Sequence, residues 1–226
     1  GLDRPHLFGH SFGGLVAQRA AVEFPAFWSS LTIFCSGPHG MPQWTLLADD
    51  IHYLEEHTMA DLWVKNGESQ KPGNEVGSLK QRRWASSDKR SLMTHAEHLM
   101  HEPSLVSRVA ATRLPINVIR GENDDAWPHV LQSQMAADLG VEIQIISDAG
   151  HCPNEDRPDA TAEAIAEKLI ADGLSPEMPV AVIENATRQN MRVLRTPLAG
   201  LAATVAGQRV KSPAVIVIGE VTVSSE

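Results

Sequence analysis

Residues 5–14 read PHLFGHSFGG, a short apolar run followed by a glycine-rich segment with one serine. The apolar run Pro5–Phe8 predicts a strand, and the apolar spacing from Gly13 to Phe24 predicts a helix. Between them lies the pattern G-x-S-x-G, which places a serine on a sharp strand-to-helix turn. We expect glycine two residues away on each side of Ser11 to avoid steric clashes, and the helix N-terminus favours negative charge nearby. The stretch therefore predicts an exposed nucleophile at Ser11, against the alternative of an ordinary glycine-rich turn.

Predicted strands and helices continue to alternate beyond this stretch. Strands are expected at Leu31–Cys35, Ile116–Arg120 and Glu142–Ile146. Helices are expected at Val130–Leu139, closed by Gly140, and at Ala160–Ala171, closed by Gly173. Alternation of this kind implies parallel strands joined by right-handed crossovers. The fold class is therefore α/β with a mostly parallel sheet.

A long insertion, at about residues 38–113, interrupts the alternation and exceeds what a crossover needs. Its patterns predict helices at Thr45–Glu56, Leu79–Ala85 and Asp88–Met100. We expect a helical cap here. His95, His98 and His101 recur within it, as either a metal-binding face or a solvated face. The solvated face is favoured because no acid or cysteine clearly converges on them, so no metal is expected.

Two further polar motifs follow directly after predicted strands. Asp124 lies at the carboxyl end of a strand, where it could orient a histidine. It is favoured over Asp125, with a solvated acidic loop as the alternative. His151 follows the next strand, where an imidazole can act as general base and then as general acid. The order Ser11, Asp124, His151 matches that of one class of Ser-His-Asp enzymes, so the sequence predicts this triad.

Residues 1–173 resemble the C-terminal two-thirds of an α/β-hydrolase of the lipase/esterase-like group. The resemblance rests on residues 5–14, on Gly121–Asp124 with Pro128, and on Gly150-His151 followed by Glu155, Arg157 and Pro158. It implies a serine hydrolase acting on a small ester-like substrate.

In that family's mechanism, Ser11 attacks the acyl carbonyl and His151 shuttles the proton. Asp124 holds His151, and the Phe12 backbone N–H supplies half of the oxyanion hole.

In the family, several strands precede the nucleophile strand, and one of their loops supplies the second oxyanion N–H. This sequence carries no counterpart of them. We expect reduced activity, because one oxyanion donor is worth about two to three orders of magnitude in rate. We also expect Pro5–Phe8 to form an exposed apolar edge that promotes self-association unless the tail covers it.

The charge changes along the 226-residue chain, whose formal net charge is -9. Residues 1–178 carry a net of -11 and residues 179–226 a net of +2, and residues 174–178 read as a linker. The acidic balance argues against nucleic-acid and anionic-membrane partners. No apolar run is long enough for a membrane span, and two cysteines cannot make a disulfide framework. We therefore expect a cytoplasmic setting.

Residues 179–226 have a different character and predict a small α/β tail. Pro179–Arg188 and Ser212–Val221 read as strands, with a helix at Leu198–Ala206. The two strands resemble the C-terminal end of uroporphyrinogen-III C-methyltransferase, with a generic βαβ-type tail as the alternative. In that family this end helps to complete the S-adenosylmethionine pocket.

The family's glycine-rich loop and porphyrinogen-binding domain lie upstream of that end and have no counterpart in this sequence. We therefore expect no cofactor and no methyl transfer. Three functions stay open: a serine hydrolase, a remnant of an S-adenosylmethionine-dependent methyltransferase, and a non-catalytic chimeric chain.

Overall fold

The computed structural model describes residues 4–41, 45–66, 81–186, 189–211 and 214–223. Its contacts divide the chain into two units. The first comprises Gly1–Pro38 and Leu105–Glu226, and the second comprises His39–Ser104. The parallel sheet and the tail both belong to the first unit.

A four-stranded parallel sheet organises the first unit and confirms the expected α/β class. Its strands are β1 (His6–His10), β2 (Ser30–Phe34), β3 (Ile116–Gly121) and β4 (Ile143–Ile146), paired in the order β1-β2-β3-β4. All five residues of β2 are buried. Because all four strands are parallel, their carboxyl ends share one edge of the sheet, where chemistry is expected.

Nine α-helices are described, together with a helical segment at residues 81–85. In chain order they are α1 (Phe12–Glu23), α2 (Thr45–Glu56), α3 (Met59–Lys65), α4 (Lys89–His101), α5 (Val106–Ala111), α6 (His129–Asp138), α7 (Pro153–Asp156), α8 (Pro158–Ala171) and α9 (Leu201–Gly207). Single 3₁₀ turns occur at Pro25–Phe27, Leu198–Gly200 and Glu220–Thr222.

The longer helices agree with the sequence patterns. Gly140 and Gly173 adopt φ of 73° and 99° just beyond α6 and α8, which is the left-handed geometry of a C-terminal glycine. The predicted helix Leu79–Ala85 is found at residues 81–85, and residues 79–80 lie outside the described part of the chain. The sequence patterns did not reveal α3, α5 and α7, each of which has seven residues or fewer.

The tail forms a second, antiparallel sheet in the order β6-β5-β7. Its strands are β5 (Pro179–Glu184), β6 (Arg192–Pro197) and β7 (Ala214–Ile218). The sequence predicted β5, β7 and the helix but missed β6, whose residues are all exposed or partly exposed and include two arginines. Residues 187–188 and 212–213 of the predicted strands lie outside the described part of the chain. One apolar cluster joins Ala162, Ala166 and Leu169 of α8 to the tail residues Val180, Val182, Leu198, Leu201 and Val205.

The second unit contains α2, α3 and α4, of which α2 and α4 correspond to predicted helices. Its core contains Leu54, Met59 and Leu62, and the Trp84 indole N–H donates to the Met59 carbonyl at 2.8 Å. On α4, His98 and His101 are exposed and lie next to Glu102 and Glu97.

Among the described residues, no group of three or more His, Cys, Asp or Glu side chains could hold a metal ion. No helix in that part of the chain has the length and apolar character of a membrane span.

Candidate active site

Ser11 lies on the turn between β1 and α1. Its backbone has φ of 56° and ψ of -124°, a conformation that non-glycine residues rarely adopt. The Ser11 N–H donates to the Phe34 carbonyl at 2.9 Å, and the Gly14 N–H donates to the Ser11 carbonyl at 2.8 Å. These bonds fix the strained turn between the sheet and the first turn of the helix.

The glycines around Ser11 have unequal steric roles. A Cβ atom on Gly9 would lie 2.2 Å from the Gly13 carbonyl oxygen and 2.7 Å from the Ala17 Cβ, so glycine is required there. The corresponding expectation for Gly13 is wrong, because a Cβ there meets no described atom within 4 Å. The second close approach is instead at Gly14, whose Cβ would lie 2.4 Å from the Ser36 Cβ.

Asp124 lies on the loop after β3, residues 122–128, which we call the acid loop. Its side chain is buried, whereas Asp125 is exposed. Oδ1 of Asp124 accepts from His151 Nδ1 at 2.9 Å and from the Ala126 N–H at 3.1 Å. Oδ2 accepts from Gln132 Nε2 at 3.0 Å. Several donors thus hold the carboxylate that the sequence favoured.

Hydrogen bonding decides the charge of Asp124. Burial raises the pKa of its carboxyl, but the hydrogen bonds from His151, Gln132 and Ala126 outweigh burial, and the pKa lies below the usual value. Burial, together with the negative charge of Asp124, raises the pKa of the Cys35 thiol to about 12. Asp124 is therefore charged and Cys35 neutral at neutral pH.

His151 lies on the loop after β4, residues 147–152, which we call the histidine loop. Its Nε2 lies 2.9 Å from Ser11 Oγ. Because the Asp124 carboxylate can only accept, Nδ1 carries the proton and Nε2 is left to accept one from Ser11. The structure therefore brings Ser11, His151 and Asp124 into one continuous chain of hydrogen bonds.

The acid and histidine loops are tied to each other. The Asn123 N–H donates to the Ala149 carbonyl at 2.8 Å, and the Glu122 N–H donates to the Ile146 carbonyl at 2.9 Å. A Cβ on Gly121 would lie 2.1 Å from the Gly150 carbonyl oxygen, so glycine permits this close approach. These contacts set the spacing between Asp124 and His151.

Phe12 is the first residue of α1, directly after Ser11. Its backbone N–H belongs to the first turn of the helix, where the helix dipole favours negative charge. The assignment of this N–H to the oxyanion hole stays a prediction.

Several residues around the triad were missed by the sequence argument. Gln132 is 1% exposed and shares a buried face of α6 with Met135 and Ala136, so a polar residue among apolar ones was the available signal. Trp127 is also buried, with its ring centroid 6.4 Å from that of His151. His10 contacts the histidine loop directly, and no pattern in the sequence indicated this.

A family model described as the alpha/beta hydrolase family matches residues 1–164. The chain belongs to this family.

Solved structures with the same fold include a hydrolase from Pseudomonas aeruginosa, with a TM-score of 0.61 and 18% identity over 74% of this chain and 65% of that one. The enol-lactonase from Burkholderia xenovorans has a TM-score of 0.59 and 20% identity, covering 74% of this chain and 66% of that chain. A thermophilic esterase from Thermogutta terrifontis has a TM-score of 0.59 and 19% identity, covering 76% of this chain and 66% of that chain. The α/β-hydrolase fold expected from the sequence is therefore confirmed.

The resemblance to tetrapyrrole methyltransferases is confirmed as well. Siroheme synthase from Hydrogenovibrio crunogenus is 50% identical over 60 residues, which are 26% of this chain and 13% of that protein. An S-adenosyl-L-methionine-dependent uroporphyrinogen III methyltransferase from Methanosarcina barkeri is 45% identical over 56 residues, which are 25% of this chain and 22% of that protein. The chain thus spans only a small fraction of the length of these curated relatives.

Proposed function

We propose that this protein is a serine hydrolase that cleaves an ester-like acyl substrate. The single observation that carries the proposal is the chain of hydrogen bonds Ser11–His151–Asp124, in which both bonds measure 2.9 Å. Membership of the alpha/beta hydrolase family supports the reaction class. The proposal keeps the cytoplasmic setting expected from the low cysteine content.

In the proposed reaction, Ser11 Oγ attacks the substrate carbonyl while His151 Nε2 accepts the hydroxyl proton. Asp124 stabilises the resulting imidazolium through Nδ1–H. The Phe12 N–H stabilises the oxyanion, and His151 then protonates the leaving alcohol. Water, activated by His151, hydrolyses the acyl-enzyme and restores Ser11.

Hydrolysis of p-nitrophenyl acyl esters tests this proposal. We expect wild-type turnover to fall by about six orders of magnitude, or to background, in Ser11→Ala. Asp124→Asn should lower kcat by about three to four orders of magnitude, because the histidine loses its correct tautomer. Turnover that persists at the wild-type rate in folded Ser11→Ala would overturn the assignment.

A methyltransferase remnant is the second candidate, favoured by the 50% identity of 60 residues of this chain to siroheme synthase. A surface cavity of about 460 Å³ in the tail, lined by residues that include Arg195, Thr196 and Gln208, offers space for a ligand. Isothermal titration calorimetry with S-adenosylhomocysteine tests this candidate. Binding supports it, and the absence of heat removes it.

A further inference from the structure

His10 is the last residue of β1 and directly precedes Ser11. Its Nε2 lies 2.8 Å from the main-chain carbonyl oxygen of His151. A carbonyl oxygen can only accept, so His10 Nε2 carries a proton and donates it. The contact therefore links the nucleophile strand to the histidine loop, across 141 positions of the chain.

The His10 ring also packs against the ring that would accept the proton. Its centroid lies 5.1 Å from that of His151 and 5.4 Å from that of Phe34. Both distances fall within the range in which aromatic pairs attract. His10 therefore contacts the main chain and the side chain of His151.

Other hydrogen bonds of the histidine loop connect it to α7 and to the acid loop. The Gly150 N–H donates to Asp156 Oδ2 of α7 at 2.8 Å, and the Ala149 carbonyl accepts from Asn123 of the acid loop. These contacts hold the loop to α7 and to the acid loop. The bond from His10 links the loop to β1, the strand that directly precedes Ser11, so it bears on the distance from Ser11 Oγ to His151 Nε2.

The electrostatics of the pocket suit a neutral side chain at position 10. Burial lowers the pKa of His10, against the bond to the His151 carbonyl and the charges of Asp124 and Glu155, which raise it. A second positive charge 5.1 Å from His151 would oppose proton transfer to that ring. The neutral ring keeps its donor without this repulsion.

We propose that His10 is a positioning residue, which holds His151 in place against Ser11 through the bond to the His151 carbonyl. Its kinetic consequence rests on the proposed hydrolase function. The position of His151 relative to Ser11 does not rest on that function and can be measured separately.

Two substitutions of His10 distinguish positioning from general packing. Gln retains an N–H donor near the position of Nε2, whereas Phe retains an aromatic ring without a donor. We expect the rate of Ser11 labelling by a fluorophosphonate to fall about tenfold or more in His10→Phe, because small displacements of reacting groups are costly. His10→Gln should stay within about threefold of wild type, and KM for a p-nitrophenyl ester should change little in either variant.

Proton NMR supplies a readout that does not need turnover. The His151 Nδ1–H, hydrogen-bonded to Asp124, should give a far-downfield signal in wild type, in Ser11→Ala and in His10→Gln. We expect this signal to broaden or disappear in folded His10→Phe, because the histidine loop loses its tie to β1. If His10→Phe fails to fold, His10→Asn takes its place, since the shorter amide cannot reach the carbonyl.

The outcomes separate the two proposals. Wild-type protein that fails to label at Ser11 overturns the hydrolase function, while the NMR comparison still decides the role of His10. Equal losses in the Gln and Phe variants, in step with lower stability, would overturn positioning in favour of packing. An unchanged His151 Nδ1–H signal in His10→Phe would also overturn the positioning role of His10.

Discussion

Gln132 holds the Asp124 oxygen that does not contact His151. Its Nε2 lies 3.0 Å from Asp124 Oδ2 and 3.4 Å from the Ser36 carbonyl oxygen. The side chain is buried beside the buried Asp124, so its loss leaves a carboxylate oxygen without one of its donors. Gln132 therefore helps to set the orientation of the acid.

We predict that Gln132→Leu lowers kcat/KM about tenfold, because an unsatisfied buried oxygen costs about 1–3 kcal/mol. The matched control is Gln134→Leu on the same helix, where the exposed amide donates to the Asp138 carboxylate at 2.8 Å. Steady-state kinetics on the two variants tests the role. Equal rates for both would show that Asp124 does not depend on Gln132.

The lowered pKa of Asp124 predicts a pH dependence of stability. A carboxyl group whose folded-state pKa lies below the unfolded value of about 3.9 stabilises the fold above that pH. The contribution is lost as the pH falls through the folded-state pKa. We predict that the difference in unfolding free energy between wild type and Asp124→Asn shrinks as the pH falls from about 6 to about 3. Urea unfolding across this range measures it, and a constant difference would contradict the assignment.

Among the structural elements, the turn from β1 to α1 depends more on Gly9 than on Gly13. Gly9→Ala would force a Cβ to within 2.2 Å of backbone oxygen, whereas Gly13→Ala meets open space. We predict that Gly9→Ala loses stability and Ser11 reactivity together. Gly13→Ala should fold at least as well as wild type, since alanine is favoured over glycine in a helix by about 0.5–1 kcal/mol. Thermal unfolding of the two variants measures the difference. An equal loss of stability in Gly9→Ala and Gly13→Ala would contradict the prediction.

Local patterns explain which elements the sequence predicted. The bounds of α2 match Thr45–Glu56, and the glycines after α6 and α8 mark where those helices end. β6 contains few apolar residues, and its residues are exposed or partly exposed. Its place in the sheet therefore depends on pairing with β5, and no local sequence pattern contains that pairing.

The same limit holds at the site. Ser11, Asp124 and His151 each follow a strand, so parallel topology was enough to predict their proximity. His10 contacts His151, 141 positions away, and Gln132 contacts Ser36, 96 positions away, so only the folded structure shows those pairs.

At the scale of the whole first unit, the tail packs on α8 in a shared apolar cluster. Tryptophan reports only on the other part of the chain, because the last of the five is Trp127. We predict that Leu201→Ala, at a fully buried position, costs about 2–5 kcal/mol and moves the tryptophan-detected urea transition to lower urea. Val193→Ala, on the exposed side of the tail, is the control. A tryptophan transition unmoved by Leu201→Ala would show that the tail folds independently.

The open edge of the parallel sheet bears on assembly. Among the described strands, β1 pairs only with β2, and Phe8 is 43% exposed. Unpaired apolar edges promote association, so we predict that the protein self-associates and that Phe8→Glu reduces the associated fraction. Sedimentation velocity measures it, with Val16→Glu on the surface of α1 as the control. Equal reduction by both variants would point to general charge repulsion and not to the edge.

The proposed function depends on Ser11 as a nucleophile activated by His151 and Asp124. The most direct measurement is the intact mass of folded protein after reaction with a fluorophosphonate, followed by peptide mapping. We expect one adduct, located on Ser11, which forms more slowly in Asp124→Asn and is absent from Ser11→Ala. Folded wild-type protein that forms no adduct, or an adduct that persists in Ser11→Ala, would show that Ser11 is not the nucleophile.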